Sequence, residues 1–289
     1  MAKLAKLSVG GENETKIMGI INVSPESFFK NSINTTKLEI SKTVKKMECD
    51  GANIIDVGGM STAPYLRTTI TEKQEEKRVT KAIKIIQNNT NIPISVDTCR
   101  SRVAQSALEL GVEIINDVSG LKFDKNMPKI IERFQPSLIV CAYSNKIVGS
   151  NHVIEAKKLL QESIKIARKA KISRDKIVVD PAIGFFRTSG RGFPFTKIRS
   201  NWVSRDLAVI QNLRFIKNNF PVLVSVSNKS FIGEILHKDD PTKLLYGTLA
   251  AELVSIMYGA DIIRTHNVEA VKDILKISKK LAQNSKKGL

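Results

Sequence analysis

Short apolar runs and amphipathic stretches alternate along nearly the whole chain. Apolar runs rich in β-branched residues recur near positions 17–21, 54–55, 94–96, 114–115, 138–140, 177–179, 222–224 and 262–263, which predicts eight strands. A helical spacing of apolar residues follows each run, near 37–49, 72–88, 100–110, 127–134, 152–170, 205–218, 241–257 and 267–282. Strands that alternate with helices in this way predict a parallel sheet covered by helices.

A six-residue phrase recurs at three of the predicted helix-to-strand junctions. It begins at Gly51, Gly111 and Gly259 and reads glycine, two variable residues, two isoleucines and a polar residue. The glycine fits a left-handed helix C-cap, and the isoleucine pair fits a buried strand after a tight turn. Eight such units favour an α/β fold with a single domain over 1–289, the (β/α)8 TIM barrel. An open doubly wound sheet is disfavoured because no Gly-x-Gly-x-x-Gly opens a helix after the first strand.

Polar residues directly follow the predicted strands. In chain order these strand ends carry Asn22, Asp56, Asp97, Asn116 with Asp117, Cys141, Asp180, Lys229, and Arg264 with His266. In a (β/α)8 barrel the reactive groups lie at the carboxyl ends of the strands, so these side chains are expected at one face. Partly buried carboxylates need donors beside them. We therefore expect one functional site built from these ends.

The acceptor-rich part of this set indicates a flat heterocyclic ligand. Asp97, Asn116 and Asp180 offer acceptors to a ring with N–H donors, and each hydrogen bond to an ionised carboxylate contributes about 1.5–3 kcal/mol. Lys229 can donate to a ring carbonyl or nitrogen, and Phe185 can close over a planar ring.

The remaining strand-end groups suit a phosphate group. Arg264, His266 and Asn22 are donors or metal-friendly ligands suited to such a group. A structural role stays open for each of these residues taken singly. Asp56, for example, could merely accept hydrogen bonds from the amides of the two glycines that follow Val57.

Composition narrows the class of protein. Among the 289 residues, 42% are hydrophobic and 26% charged, which favours a packed core over disorder. A net charge of +18 favours anionic partners, namely nucleic acid, an acidic membrane or phosphorylated metabolites. An alternative of equal weight is that the lysines only solvate helix faces. No nucleic-acid-binding motif accompanies the charge, so no specific nucleic-acid partner is expected.

Targeting and cysteine signals favour the cytoplasm. No apolar run reaches the length of a membrane span, and the start of the chain lacks a signal-peptide core, so we expect a soluble protein with no membrane partner. The three dispersed cysteines, Cys49, Cys99 and Cys141, form neither a disulfide framework nor a Cys-x-x-Cys metal pair. They are expected to be small core residues in a reducing compartment.

Seven motifs, in the same order, resemble those of the dihydropteroate synthase family. They lie at 18–28, 56–62, 95–98, 115–120, 180–185, 227–233 and 264–268, and the similarity runs from 17 to 271. The resemblance implies a (β/α)8 enzyme that joins 6-hydroxymethyl-7,8-dihydropterin diphosphate to an arylamine. Diphosphate would be released with the help of Mg2+, in folate or methanopterin biosynthesis. The resemblance also implies a homodimer.

The resemblance further implies roles for individual residues. Asp97, Asn116, Asp180 and Lys229 would hold the pterin; Asn22, Arg264 and His266 would hold the diphosphate and its metal ion; Thr62 and Ser230 would lie near the arylamine. Lys229, Arg264 and His266 are the predicted catalytic residues, because fixed donors and cations stabilise the charge that develops on the leaving diphosphate. An electron-rich pterin can support a cationic methylene, so no catalytic acid–base dyad is expected.

Four departures from the family pattern concern loops. Ala63 stands where the family usually has arginine, Lys30 where it has an acidic residue, and Asn228 where it has arginine, all on the predicted arylamine side. A basic insertion near 187–204 follows the sixth strand, and a loop of this length is usually functional or disordered. We therefore expect a nucleophile larger and more anionic than 4-aminobenzoate, such as a phosphorylated ribosyl-aminobenzene.

Two other functions stay open. A pterin-dependent methyltransferase uses the same barrel but needs no diphosphate site, so the motifs at 227–230 and 264–266 favour the synthase. A non-catalytic pterin-binding protein would bind pterin tightly without turning over any arylamine.

Overall fold

The computed structural model describes residues 1–25, 34–62, 64, 69–191 and 194–285, and a parallel barrel surrounded by helices lies at its centre. The strands are β1 (Ala2–Leu4), β2 (Leu7–Val9), β3 (Lys16–Asn22), β4 (Ile54–Gly58), β5 (Ile94–Asp97), β6 (Ile114–Asp117), β7 (Ser137–Cys141), β8 (Ile177–Asp180), β9 (Phe186–Arg187), β10 (Thr196–Lys197), β11 (Leu223–Val224) and β12 (Ile262–Thr265). The helices are α1 (Lys37–Asp50), α2 (Glu72–Gln87), α3 (Ser101–Glu109), α4 (Met127–Phe134), α5 (His152–Lys169), α6 (Trp202–Gln211), α7 (Leu213–Lys217), α8 (Ser230–Leu236), α9 (Leu245–Met257) and α10 (Val268–Ser285).

Eight of the strands form a single barrel. Their spatial order is β11, β12, β3, β4, β5, β6, β7, β8, and every neighbouring pair is parallel. Val179 of β8 bridges to Val222 beside β11, which joins the two ends of the sheet. The predicted (β/α)8 barrel is confirmed.

Successive side chains along a strand point to opposite faces, and this alternation decides which of them face the barrel interior. The layer nearest the amino ends of the strands is apolar and buried, and consists of Met18, Ile54, Ile114, Ile139, Val178, Leu223 and Ile262. The β1–β2 hairpin closes this end, because Ala2, Leu4 and Val9 pack into the same cluster. Two residues further along, the positions that face the same way include Asp56, Asn116, Asp180 and Arg264. The alternation that builds the core therefore also directs these polar side chains inward.

The glycine phrase forms the predicted junctions. Gly51, Gly111 and Gly259 have φ values of 97°, 85° and 100°, in the left-handed region that favours glycine. Thr36 and Thr71 open α1 and α2 through capping boxes, which satisfy backbone amides at the helix starts.

Several elements differ from the sequence prediction. The helix predicted over 205–218 is two helices that part at Asn212, where φ is −116°. The helix predicted from 241 starts at Leu245, after a 3-10 turn over Pro241–Lys243. The β1–β2 hairpin and the β9–β10 pair were not predicted, because their strands of three and two residues are too short for a periodic pattern.

The cysteines and helices bear on two further expectations. Cys99 and Cys141 are buried as predicted, whereas Cys49 lies exposed on α1, and the prediction that it is a core residue is wrong. Within the described ranges, no helix combines the length and the apolar character needed to cross a bilayer.

Candidate functional site

The carboxyl ends of the barrel strands surround a cavity. Its lining consists of Ile20, Asn22, Met60, Ser61, Thr62, Pro64, Asp97, Gly184, Phe185, Ser225, Ser227, Lys229, Arg264 and His266. Seven of the ten residues selected from the sequence are in this lining. Of the other three, Asn116 and Asp180 are buried on β6 and β8, and Ser230 begins α8.

Arg264 joins two carboxylates inside the barrel. Its Nε donates to Asp56 Oδ2 at 2.6 Å and its Nη2 donates to Asp97 Oδ2 at 2.8 Å. Burial acts to lower the pKa of Arg264, but the two carboxylates more than reverse this and raise the pKa above its ordinary value. Arg264 is therefore a permanent cation, and its position is fixed from two strands.

Three buried oxygen atoms beside this ion pair have no hydrogen-bond partner among the described residues. They are the Oδ1 atoms of Asp56, Asp97 and Asn116. Asn116 is oriented because its Nδ2 donates to Asp56 Oδ2 at 3.3 Å. A buried acceptor without a partner costs about 1–3 kcal/mol. The inner end of the site is thus built to receive donors from a ligand.

Lys229 lies against an aromatic ring at the edge of the cavity. Its Nζ is 4.1 Å from the centroid of Phe185. Gly184 permits this packing, because a Cβ there would lie 2.7 Å from Lys229 Cδ. Burial, helped by the charge of Arg264, lowers the pKa of Lys229 to about 8, although Asp180 acts to raise it. Lys229 therefore carries a proton at neutral pH but releases it readily.

Burial governs the protonation of the two carboxyl groups that are predicted to bind the pterin. It raises the pKa of Asp97 to about 7, against the lowering effect of Arg264. It also raises the pKa of Asp180, against a hydrogen bond of 2.7 Å from the Ala182 amide and the charge of Lys229. The charges of Lys229 and Arg264 act on Asp180 directly, so all four groups belong to one electrostatic cluster.

His266 is a neutral hydrogen-bonding group. Its Nδ1 lies 2.9 Å from Ser227 Oγ, and its Nε2 lies 3.5 Å from Asn22 Nδ2. Burial, together with the charges of Arg264 and Lys229, lowers the pKa of His266 to about 3. Of the three predicted catalytic residues, Lys229 and Arg264 therefore supply charge, and His266 supplies only hydrogen bonding.

The residues predicted near the arylamine are not all brought together. Thr62 lines the cavity, whereas Ser230 Oγ accepts a hydrogen bond of 2.6 Å from Arg187 Nη2. Asn228 is buried away from the cavity, and its backbone amide donates to Thr248 Oγ1 of α9 at 3.1 Å. Asn228 therefore does not line the cavity at the position where the family usually has arginine, because the strand-to-helix turn directs it toward α9.

The basic insertion contributes less surface charge than its sequence indicates. Arg187 and Arg205 are buried and share the carboxylate of Asp206, at 3.7 Å and 3.0 Å. The other cations of the stretch, Arg191, Lys197 and Arg199, are exposed. Two further departures from the family pattern, Lys30 and Ala63, lie outside the described residues.

Two residues of the site were assigned no specific role from the sequence, although Asp56 was among the strand ends expected there. Asp56 is wholly buried and pairs with Arg264, so the alternative that it only accepts bonds from the following glycine amides is wrong. Its inward position on a strand was the available signal. Ser227 lines the cavity and contacts His266, and its place in the motif at 227–230 carried no sign of that contact.

Comparison with known proteins defines the class and then the family. A family model described as "Pterin binding enzyme" matches residues 18–266. The dihydropteroate synthase of Synechocystis sp. is 31% identical over 272 residues, which covers 91% of this chain and 89% of that protein. A solved dihydropteroate synthase from Coxiella burnetii in complex with pteroic acid is 32% identical, with a TM-score of 0.80 and coverage of 93% of this chain and 94% of that one.

A solved dihydropteroate synthase from Xanthomonas albilineans with 4-aminobenzoic acid is 27% identical, with a TM-score of 0.80 and coverage of 93% of this chain and 94% of that one. The described strands and the site lie almost wholly within the matched residues 18–266. The chain belongs to the dihydropteroate synthase family of pterin-binding enzymes, and the resemblance drawn from its motifs is confirmed.

Proposed function

We propose that this chain is a transferase that condenses 6-hydroxymethyl-7,8-dihydropterin diphosphate with 4-aminobenzoate in folate biosynthesis and releases diphosphate. The names of its relatives support this reaction. The observation that carries the proposal is a set of three buried oxygens, on Asp56, Asp97 and Asn116, that have no partner within the described part of the chain. They lie next to the charges of Arg264 and Lys229. A donor-rich flat ring with an anionic substituent satisfies both features.

The pterin ring would occupy the inner part of the site. Its N–H groups would donate to the free oxygens of Asp97 and Asn116, and to Asp180. Each satisfied acceptor removes a desolvation cost of about 1–3 kcal/mol. Lys229 would donate to a ring carbonyl or nitrogen, with Phe185 against the same side of the pocket. These interactions orient the methylene carbon toward the outer part of the cavity.

The chemistry needs a stabilised leaving group more than a base. The amine nitrogen bonds to the methylene carbon while the bond from that carbon to a diphosphate oxygen breaks, and the electron pair leaves with the diphosphate. The amine then loses one proton to solvent or diphosphate. Lys229 and Arg264 stabilise the departing charge, because fixed charges in a water-poor site interact strongly with it. His266, with a pKa of about 3, does not take up the proton.

Mg2+ is proposed as an ion that accompanies the diphosphate. Across the described part of the chain, no group of three His, Cys, Asp or Glu side chains forms a metal site. Asn22 lines the cavity, and its side chain carries an amide oxygen. Mg2+ often takes one or two protein oxygens and otherwise binds phosphate and water. The site fits such an ion: Asn22 would be its protein ligand, and the ion would offset charge on the diphosphate.

The amine is proposed to be 4-aminobenzoate, the molecule named with the Xanthomonas albilineans relative. Thr62, Pro64 and Phe185 form the outer wall that it would contact. The more anionic alternative, a phosphorylated ribosyl-aminobenzene, loses support from the basic insertion, because Arg187 and Arg205 are buried around Asp206. It stays a prediction to be tested beside 4-aminobenzoate.

One assay tests the reaction and the amine together. Purified protein is mixed with the pterin diphosphate, Mg2+ and each amine in turn, and diphosphate release is followed. We expect release only when pterin and amine are both present, with 4-aminobenzoate preferred. A preference for the phosphorylated amine would show that it, and not 4-aminobenzoate, is the substrate. Tight pterin binding without diphosphate release for any amine would contradict the proposal that the protein is an enzyme. A methyltransferase would likewise release no diphosphate.

We also propose that the protein is a homodimer that uses the outer faces of α6, α8 and α9. On α9 the buried residues are the polar Thr248, Glu252 and Ser255, while Tyr246 and Val254 are exposed. An apolar groove between these helices is lined by Leu207, Ile210, Gln211, Phe231, Ile232, Ile235, Leu236, Gly247, Ala250, Ala251, Val254 and Tyr258. A large apolar patch of this kind is typical of a protein interface.

We also propose that the protein acts in the cytoplasm. Its unpaired cysteines are compatible with a reducing compartment.

A further inference from the structure

The segment between β9 and β10, here called the excursion, is described at residues 188–191 and 194–195 and begins and ends at the same side of the barrel. Its ends are fixed: β9 and β10 pair in parallel, Thr196 N donates to Phe185 O at 2.9 Å, and Ile198 N donates to Arg187 O at 2.9 Å. The loop after β7 holds the returning strand as well, since Ser144 N donates to Thr196 Oγ1 at 2.9 Å. The excursion therefore starts from a rigid base beside Phe185, a wall of the cavity.

Buried charge strengthens this base. The guanidinium of Arg187 lies 3.9 Å from the ring centroid of Trp202, and its Nη2 donates to Ser230 Oγ. Asp206 lies 3.7 Å from Arg187 and also accepts from the Gly184 amide at 3.0 Å. The start of the excursion is thus linked to two segments of the site, the one that carries Phe185 and the one that carries Lys229.

The outer part of the excursion contacts the loop after β4, here called loop 2 and represented by its described residues 59–62, 64 and 69–71. Arg191 N donates to Pro64 O at 2.8 Å. The approach is close enough to need glycine at position 190, because a Cβ there would lie 2.9 Å from the Pro64 oxygen and 2.8 Å from the Phe195 ring. Pro64 and Thr62 of loop 2 both line the cavity.

The order of the strands shows where this contact lies. β4 and β8 are four places apart in a closed barrel of eight strands, so they stand on opposite sides of it. Loop 2 follows β4, and the excursion follows β8 and β9. Loop 2 lines the cavity from one side, and Phe185, which precedes β9, lines it from the other. Because the excursion that follows β9 bonds to loop 2, the two segments meet across the cavity mouth.

We infer that this excursion, represented by its described residues 188–191 and 194–195, is a strap that crosses the barrel mouth and positions loop 2 for the arylamine. The inference rests on the proposed function. The strap contacts Pro64 and is continuous with Phe185, which form the outer wall, whereas the predicted pterin acceptors lie deeper on β5, β6 and β8. The strap therefore sets the affinity for the amine and leaves pterin affinity unchanged.

The variant Gly190→Ala tests the strap. The added Cβ pushes the strap from Pro64, and we expect the KM for 4-aminobenzoate to rise about tenfold, as loss of one positioning contact predicts. The kcat and the pterin Kd should stay close to those of the unmodified protein. Amides 59–62 of loop 2 should exchange hydrogen faster, which is measured by mass spectrometry without any turnover.

Gly149→Ala is the matched control. Its Cβ would meet only Glu155 Oε1, at 4.0 Å, so the same substitution adds no clash on a nearby loop. If Gly190→Ala fails to fold, Arg191→Pro removes the amide that donates to Pro64 and is measured in the same way. Unchanged exchange at 59–62, or an unchanged KM for the amine, overturns the strap. Absence of diphosphate release by the unmodified protein would overturn the proposed function instead. The hydrogen-exchange measurement on loop 2 would still test the strap, because it needs no turnover.

Discussion

Arg264 shows how charge is distributed within the site at the scale of single residues. It was predicted to hold the diphosphate, yet two of its nitrogen atoms donate to Asp56 and Asp97. Lys229 supplies a second cation beside these carboxylates. Burial is nevertheless the main cause of the raised pKa of Asp97, and the nearby Asp56 and Glu75 act in the same direction, against the charges of Arg264 and Lys229. The protonation state of the site therefore changes close to neutral pH.

We expect a bell-shaped pH dependence of kcat/KM for the pterin diphosphate, with its maximum between pH values of about 7 and 8. Below pH 7 the carboxylate of Asp97 takes up a proton and no longer accepts from the ring with its full charge. Above pH 8 Lys229 loses its proton and its charge. Steady-state rates measured on both sides of neutrality test this directly.

The variant Lys229→Arg separates the two limbs. Arginine stays protonated at all these pH values, so the basic limb should disappear while the acidic limb stays. Lys276→Arg, an exposed change on α10, should keep both limbs. A basic limb that persists in Lys229→Arg would show that a different group controls it.

At the scale of secondary-structure elements, long periodic segments were predictable and short ones were not. The strands that carry Asp56, Asn116 and Arg264 followed from repeated glycine phrases, because each phrase contains both the helix end and the buried strand. The β1–β2 hairpin has strands of three residues, and its role as a barrel plug depends on partners distant in the sequence. Helix α9 was predicted, but not which of its faces lies inward.

Helix α9 carries a buried carboxyl group with an expected cost. Both oxygens of Glu252 are buried, and neither accepts a hydrogen bond of good geometry from the described residues. Burial raises the pKa of Glu252 from 4.5 to about 8, against the lowering effect of the nearby Thr265 hydroxyl. The folded protein therefore binds a proton that the unfolded chain releases between these values. Its contribution to stability is full below pH 4.5 and is lost as the pH rises through 8.

We predict that Glu252→Gln removes the loss of stability that ionisation of Glu252 causes at high pH. Each pKa unit corresponds to about 1.4 kcal/mol, so the substitution should raise the free energy of unfolding above pH 8 by roughly 4–5 kcal/mol relative to its effect near pH 4.5. Urea denaturation at several pH values measures it. The exposed Glu269→Gln on α10 is the control and should leave the pH dependence unchanged. Parallel pH dependences for Glu252→Gln and the unmodified protein would contradict the prediction.

At the scale of the whole molecule, the site depends on closure of the barrel. Arg264 bonds to Asp56 across 208 residues and to Asp97 across 167. The sequence could predict that these groups share one face, because the topology of a (β/α)8 barrel places all carboxyl strand ends together. It could not predict which groups pair, since pairing depends on side-chain directions across strands that meet only in the folded barrel.

The helices around the barrel have outer faces that point away from it, and the outer face of α9 is apolar. Helix α9 has a polar face against the barrel and an apolar face toward solvent, and Glu252, its one charged residue, is buried. Such a face is stable when a second copy covers it, so Val254→Lys should convert a dimer of 32.0 kDa chains into a monomer, because lysine in an apolar interface lacks a partner. Light scattering measures the mass. Ile277→Lys, which changes an exposed apolar residue on α10, should leave the dimer intact. A monomeric unmodified protein, or a dimeric Val254→Lys variant, would contradict the interface.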